Sequence, residues 1–146
     1  MLHFYVAFFI NEYLYITVHV SVILRKKFSH KSEYGHGVLL AGSSGMYGAA
    51  QLSSKACLRS GIGLLTVHGP WEGMDIIQAT VPEAIYSRDY SRDVISQIPI
   101  VNRYSAIACG PGIGTGEKTV VMIELLLAIA KVPLILDADA LNIIAD

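Results

Sequence analysis

From residue 36 onward the chain alternates short apolar runs with longer stretches in which apolar positions recur every three or four residues. Short runs bounded by Gly or Pro predict buried strands, and the longer periodic stretches predict helices. The pattern puts strands over 37–41, 62–68, 82–86, 104–109 and 133–137, and helices over 48–60, 71–80, 117–131 and 140–145. Residues 87–103 are polar and carry no clear period. In the first helix Ala49, Leu52, Ala56 and Cys57 share one face, where small side chains let a helix approach a sheet closely, and Gly61 and Gly63 supply its stop. Strand and helix in turn predict an α/β fold: a mainly parallel sheet with helices on both faces, in three α/β/α layers. One stretch, 120–130, is apolar nearly all round, whereas a surface helix keeps a polar face. Something further is expected to cover it.

The first 24 residues follow another rule. Between Leu2 and Leu24 the only formal charge is Glu12. A membrane span needs about 20 mainly apolar residues, and an acid near its middle costs ~2.5–3.5 kcal/mol. Asn11, Glu12 and His19 therefore disfavour a membrane partner, and a secretory signal fits worse, because no Lys or Arg precedes the apolar stretch. Residues 13–22 alternate, with Leu14, Ile16, Val18, Val20 and Val22 on one side and Tyr13, Tyr15, Thr17, His19 and Ser21 on the other, the period of a half-buried strand. Residues 1–24 are read as a lead-in segment and 25–146 as the domain proper. A membrane anchor and a misplaced start codon are the competing readings of the lead-in.

Composition changes this picture little. An apolar fraction of 53% and a mean hydropathy of +0.48 over 146 residues fit a parallel sheet covered on both faces, a membrane segment or missing surroundings. Eleven basic against twelve acidic side chains leave a net charge of −1, so there is no basic surface for nucleic acid. Cys57 and Cys109 form neither a CxxC pair nor a metal-ligand cluster, and are expected to be buried, reduced thiols of a cytoplasmic protein.

Candidate chemistry sits where strands should end and helices begin. Gly42-Ser43-Ser44-Gly45-Met46-Tyr47-Gly48 lets backbone N–H groups approach an anion, and Ser43 and Ser44 add donors. A plain tight turn would read the same. It is not the GxGxxG fingerprint, and no acid clearly caps the strand ending near His68. Gly110-Pro111-Gly112-Ile113-Gly114 precedes Glu117-Lys118-Thr119 but fails the Walker A spacing, because Glu117 separates Lys118 from the last glycine. Lys118 reads as a solvated first-turn residue, while Gly112 and Gly114 are candidates for backbone contact with a ligand. Asp137 and Asp139 end the last apolar run, where carboxylates hold Mg²⁺ waters or accept from sugar hydroxyls; capping of the next helix is the competing role. Asn142 could orient either acid or a ligand. His30, His36 and His68 lack metal-ligand spacing and read as surface or structural, so no metal site is assigned, and Lys31 is a cation just ahead of the first strand. A phosphate-bearing small molecule is the expected ligand.

Together these stretches resemble the ATP- or ADP-dependent NAD(P)H-hydrate dehydratase family, whose fold is ribokinase-like. The resemblance is carried by residues 28–36, Ala41-Gly42-Ser43, Met46, Gly48-Ala49-Ala50, residues 55–67, Pro82-Glu83-Ala84, the Gly110–Gly114 loop and Asp137-Ala138-Asp139-Ala140-Leu141-Asn142. It implies repair of hydrated NAD(P)H: a nucleotide, ATP or ADP with Mg²⁺, phosphorylates the added hydroxyl, and loss of phosphate restores the double bond. By resemblance, Gly48, Ala49, Gly112 and Gly114 line the hydrate site, His30 and Lys31 border it, and Asp137, Asp139 and Asn142 lie beneath it. Ser32 stands where the family usually has Gly after His-Lys. The family's Pro-His-Pro-Gly-Glu, Lys-Gly and Gly-Thr-Gly-Asp stretches, the last with its catalytic Asp, do not occur in this chain. The expectation is thus an N-terminal portion of the domain, truncated after about half, inactive alone and lacking a C-terminal half that would cover the apolar helix. A homo-oligomer is expected. The alternatives are a ribokinase-like kinase of a vitamin precursor and a non-catalytic dinucleotide-binding module.

Overall fold

The computed structural model describes residues 2–10, 14–22 and 25–146, with side chains from residue 25 onward. It divides into two units, Met1–His30 and Lys31–Asp146. In the first, β1 (Leu2–Ile10) pairs antiparallel with β2 (Leu14–Val22), in register from Leu2 opposite Val22 to Ile10 opposite Leu14. The alternating segment is therefore a strand. Which of its faces is covered, and Tyr13 itself, lie outside the described residues. Among the described residues no helix is long and apolar enough to cross a membrane.

The second unit opens with a 3-10 turn, Lys31–Tyr34, and continues β3 (His36–Leu40), α1 (Tyr47–Arg59), β4 (Leu64–Gly69), α2 (Gly73–Thr80), β5 (Ile85–Arg88), β6 (Ala106–Cys109), α3 (Glu117–Ile129), β7 (Leu134–Leu136) and α4 (Asp139–Ala145). The five strands β3 to β7 form one sheet in the order β5-β4-β3-β6-β7, parallel throughout. From β3 the chain steps outward through α1 to β4 and through α2 to β5. It then returns across the sheet to β6, on the other side of β3, and leaves through α3 to β7. Right-handed crossovers in opposite directions put α1 and α2 on one face and α3 on the other.

The two cores follow from that arrangement. Leu39, Leu65 and Val67 point to the α1/α2 face and pack with Ala50, Ile77 and Val81. Val38, Leu40, Ile107 and Cys109 point the other way and pack with Met122, Ile123, Leu126 and Ala140. The central strands are thus apolar on both faces, as parallel strands under two helix layers must be.

Boundaries shift for local reasons. The strand expected over 82–86 runs Ile85–Arg88, because Pro82 cannot donate to a ladder and the Ala84 N–H closes a turn onto the Val81 carbonyl at 3.0 Å. Trp71 and Glu72 form a turn closed by the Gly73 N–H on the Pro70 carbonyl at 3.0 Å, so α2 starts at Gly73, not Trp71. The polar stretch 87–103 is largely a loop, whose backbone donors are gathered by the buried carboxylate of Asp89. On α3, Val121, Leu125, Leu127 and Ile129 are exposed while Met122, Ile123 and Leu126 face the sheet. On the α1 side of β6 and β7 an apolar groove of about 510 Å³ is lined by Ile62, Ala106, Ala108 and Ile135, among others.

Candidate functional site

The chain reverses its direction of travel across the sheet between β3 and β6, and in open parallel sheets ligands bind beyond the strand C-termini at such a switch point. The loops found there are the glycine-rich ones. Gly42 (φ +85°) donates its N–H to the Pro111 carbonyl at 2.9 Å, and the buried Ser43 Oγ donates to the Gly112 carbonyl at 2.8 Å. Gly112 adopts φ +65°, and a β-carbon on it would stand 2.9 Å from both the Met46 carbonyl oxygen and the Ala49 β-carbon. Only glycine lets the β6 loop close onto the first turn of α1 in this way.

The third loop, after β7, joins the same rim. Asp137 donates its N–H to the Cys109 carbonyl at 3.1 Å, and a β-carbon on Gly110 (φ +137°) would overlap the Asp137 carbonyl oxygen. Gly114 donates its N–H to Asp139 Oδ2 at 2.9 Å. Ala138 (φ +47°, ψ −120°), the one non-glycine with positive φ among the described residues, makes the bend that sets Asp139 there. Neither Asp137 nor Asp139 caps α4 with its side chain. The competing capping role is thereby corrected: the Asp139 carboxylate is engaged by the neighbouring loop.

The structure thus brings Ala49, Gly112, Gly114, Asp137 and Asp139 together. Gly48 lies beside Ala49 with open space where a β-carbon would be, and Asn142 sits exposed one turn into α4 from Asp139. Lys31 requires a correction. Its carbonyl packs against Gly63, just ahead of β4, and the Gly63 and Leu64 N–H groups donate to the Tyr34 and Gly35 carbonyls at 3.1 and 3.0 Å. The Lys31–Tyr34 turn feeds the N-terminal end of β3, so Lys31 stands on the opposite rim, a strand length of ~16 Å from the glycine loops. His30 belongs to the first unit. Among the described residues no three His, Cys, Asp or Glu side chains could hold a metal ion together.

Two features escaped the sequence reading. The first is a buried polar network beside these loops. Asp89 Oδ1 accepts from the Ser91 N–H at 2.7 Å and the Ser96 hydroxyl at 2.7 Å; Oδ2 accepts from the Ser96 and Gln97 N–H groups, each at 2.9 Å. His68, 4% exposed, lies with Nε2 3.4 Å from Asp89 Oδ2 and Nδ1 3.1 Å from the Ser87 hydroxyl. Burial alone would raise the Asp89 pKa, but the hydrogen bonds from Ser96, Ser91 and Gln97 outweigh it and hold the carboxyl below its ordinary range. Burial lowers the His68 pKa, and the Asp89 charge opposes that only in part. The loop so held supports the site: Ser44 donates its N–H to the Asp93 carbonyl at 2.7 Å. Asp-x-Ser, a turn signal in which the side chain accepts from the N–H two residues on, was its one sequence trace.

The second is an acid after β4, where none was recognised. Glu72 follows the strand by three residues, and its Oε1 lies 3.3 Å from Arg92 Nε. Beside it the Arg88 guanidinium stands 3.8 Å from the centre of the Trp71 ring.

Comparison with known proteins agrees with this architecture. The family model described as NAD(P)H-hydrate dehydratase matches residues 37–146. An ADP-dependent (S)-NAD(P)H-hydrate dehydratase from Bacillus subtilis is 39% identical over 113 residues, which are 77% of this chain and 40% of that protein. A crystal structure of an ADP/ATP-dependent NAD(P)H-hydrate dehydratase from Bacillus subtilis, co-crystallised with ATP/Mg²⁺, superposes with a TM-score of 0.68 at 36% identity, covering 82% of this chain and 43% of that one. A ribokinase-like superfamily protein from Enterococcus faecalis gives 0.70 at 28% identity, covering 84% and 43%. The chain spans less than half the length of each of these relatives. With the family model covering most of its residues and the fold ribokinase-like, the chain belongs to the NAD(P)H-hydrate dehydratase family.

Proposed function

We propose that the chain supplies the dinucleotide side of a nucleotide-dependent dehydratase that returns (S)-NAD(P)H hydrate to NAD(P)H. The observation that carries this reading is the stitching of three loops at one switch point, by Gly42 to Pro111, Ser43 to Gly112 and Gly114 to Asp139. A rim of backbone groups and small side chains suits a hydrated nicotinamide ring, whose carboxamide and hydroxyl are recognised by hydrogen bonds rather than by bulk. Hydroxide leaves poorly and phosphate leaves well, so phosphorylation of the ring hydroxyl permits elimination, with loss of a ring proton, to restore the double bond. The residues of this chain bind the ring, orient its hydroxyl and shield it from water. The names of the relatives support ATP or ADP as the phosphoryl donor.

The chain alone binds dinucleotide but turns it over little, a reading supported by its span of about 40% of a relative's length and by the lack of a Gly-Thr-Gly-Asp stretch in its sequence. We place it in the cytoplasm as a homo-oligomer. Calorimetry with NADPH should give saturable binding, and NADPH hydrate with ATP or ADP should give no rise in reduced-nicotinamide absorbance. Absence of binding would reject the dinucleotide reading; robust turnover would reject the claim of inactivity.

A further inference from the structure

The strand order β5-β4-β3-β6-β7 is that of a doubly wound dinucleotide-binding half, in which a glycine turn follows the first strand and an acid after the second meets the adenosine ribose. Here the glycine turn follows β3, the next strand is β4, and the acid beyond it is Glu72, paired with Arg92. Rossmann sheets that accept a 2′-phosphate put an arginine at this place. This chain has both groups in contact.

The pair is tied to the glycine turn. Trp71 and Glu72 donate their N–H groups to the Ser91 and Arg92 carbonyls at 3.0 and 3.3 Å, and the next carbonyl, that of Asp93, accepts from Ser44. Tyr47, the first residue of α1, fills the gap between, since a β-carbon on Gly73 would come within 2.8 Å of its ring. The rim therefore runs without a break from the β6 loop to the end of β5, three strand spacings or ~14 Å.

We propose that Glu72, Arg92, Trp71 and Arg88 form the subsite for the adenosine end of the dinucleotide and discriminate its 2′-phosphorylated from its unphosphorylated form. The inference rests on the dinucleotide reading above and adds where the far end lies and what reads it. Glu72 accepts from the hydroxyls of an unphosphorylated ribose. A 2′-phosphate repels Glu72 and draws Arg92, whose side chain is 78% exposed and held by a surface ion pair of the kind that contributes little. The purine stacks on the outer face of the Arg88 guanidinium, whose inner face rests on Trp71, a planar cation between two π systems.

Trp71 is the single tryptophan of the chain, so its emission reports on this subsite directly. The whole chain would be titrated with ADP-ribose, with 2′-phospho-ADP-ribose and with reduced nicotinamide mononucleotide, following fluorescence and calorimetry together. Both adenosine compounds should change Trp71 emission saturably, and the mononucleotide should bind without changing it. Arg92→Ala should weaken 2′-phospho-ADP-ribose about tenfold, the loss of one charge-assisted hydrogen bond, and ADP-ribose less than about twofold. Glu72→Gln should weaken ADP-ribose alone. Both side chains are exposed, and unchanged melting curves would verify that the variants fold. If the mononucleotide binds but the adenosine compounds leave Trp71 unaffected, or Arg92→Ala weakens both equally, the subsite falls and the dinucleotide reading stands. If none of the three binds, both fall.

Discussion

Asp89→Asn tests whether one buried carboxylate holds the return loop in place. The carboxylate offers two oxygens to four donors, with Ser91 N–H and the Ser96 hydroxyl on Oδ1 and the Ser96 and Gln97 N–H groups on Oδ2. A carboxamide keeps the shape and loses one acceptor and the charge. If its nitrogen takes the Oδ2 position, two backbone N–H groups lose their acceptor. If it takes the Oδ1 position, the Ser96 hydroxyl can turn to accept and only Ser91 N–H is orphaned. The second arrangement costs less: one unsatisfied buried donor plus lost charge assistance comes to about 2–3 kcal/mol.

For a unit of this size roughly 4 °C of melting temperature accompanies each kcal/mol, so the variant should melt about 10 °C lower. Calorimetric melting of the wild-type chain, Asp89→Asn and the exposed control Glu72→Gln would measure it. The control should move by less than about 2 °C, because Glu72 makes only a surface pair. NADPH affinity should fall with Asp89→Asn as well, since the Asp93 carbonyl that receives Ser44 N–H lies on the loop that Asp89 organises. A melting temperature within about 2 °C of wild type would refute the claim that these four donors depend on the carboxylate.

Gly112→Ala requires a left-handed φ for alanine, about 1–2 kcal/mol, and forces its β-carbon onto Met46 and Ala49; it should melt several degrees lower and lose most NADPH binding in calorimetry. His68 and Asp89 both titrate below their ordinary values of 6.5 and 3.8, so the unfolded chain binds more protons as either begins to protonate. The His68 contribution is complete above pH 6.5 and the Asp89 contribution above 3.8, each being lost as pH falls through the folded value. Urea titrations should therefore give lower stability at pH 5.5 than at pH 7.5. Burial raises the Cys109 pKa to about 12 and also raises that of Cys57, so a thiol reagent at pH 7.5 should label the native chain slowly and both sites rapidly in guanidinium.

The sheet was legible because a buried parallel strand has no polar face to hide it. Val38-Leu39-Leu40 and Leu64-Leu65 are apolar on consecutive residues, so neither register nor partner is needed to recognise them. The edges were harder. Strand β5 has a neighbour on one side only, and its Ile85-Tyr86-Ser87-Arg88 alternates weakly, so Pro82 displaced the assignment by three residues. The small residues of the glycine loops were likewise visible, because glycines at strand ends serve backbone contact whichever loop they meet.

What composition and spacing could not convey was which loops share a rim. Lys31 lies five positions before β3, and in a parallel sheet residues that precede a strand belong to the rim opposite those that follow it. Given the strand order, its place on the rim opposite the glycine loops is a matter of direction, and the same logic puts Glu72 and Asp89, which follow β4 and β5, on the glycine side. Both acids went unnoticed for one reason: their partners, Arg92 and Ser96-Gln97, are chosen by the return path from β5 to β6, which has no periodicity of its own. A loop without a period can still be ordered when one buried side chain supplies the acceptors that a ladder or a helix would otherwise provide. Residues 89–97 are such a loop, and they lie along the rim where the dinucleotide reading needs rigidity.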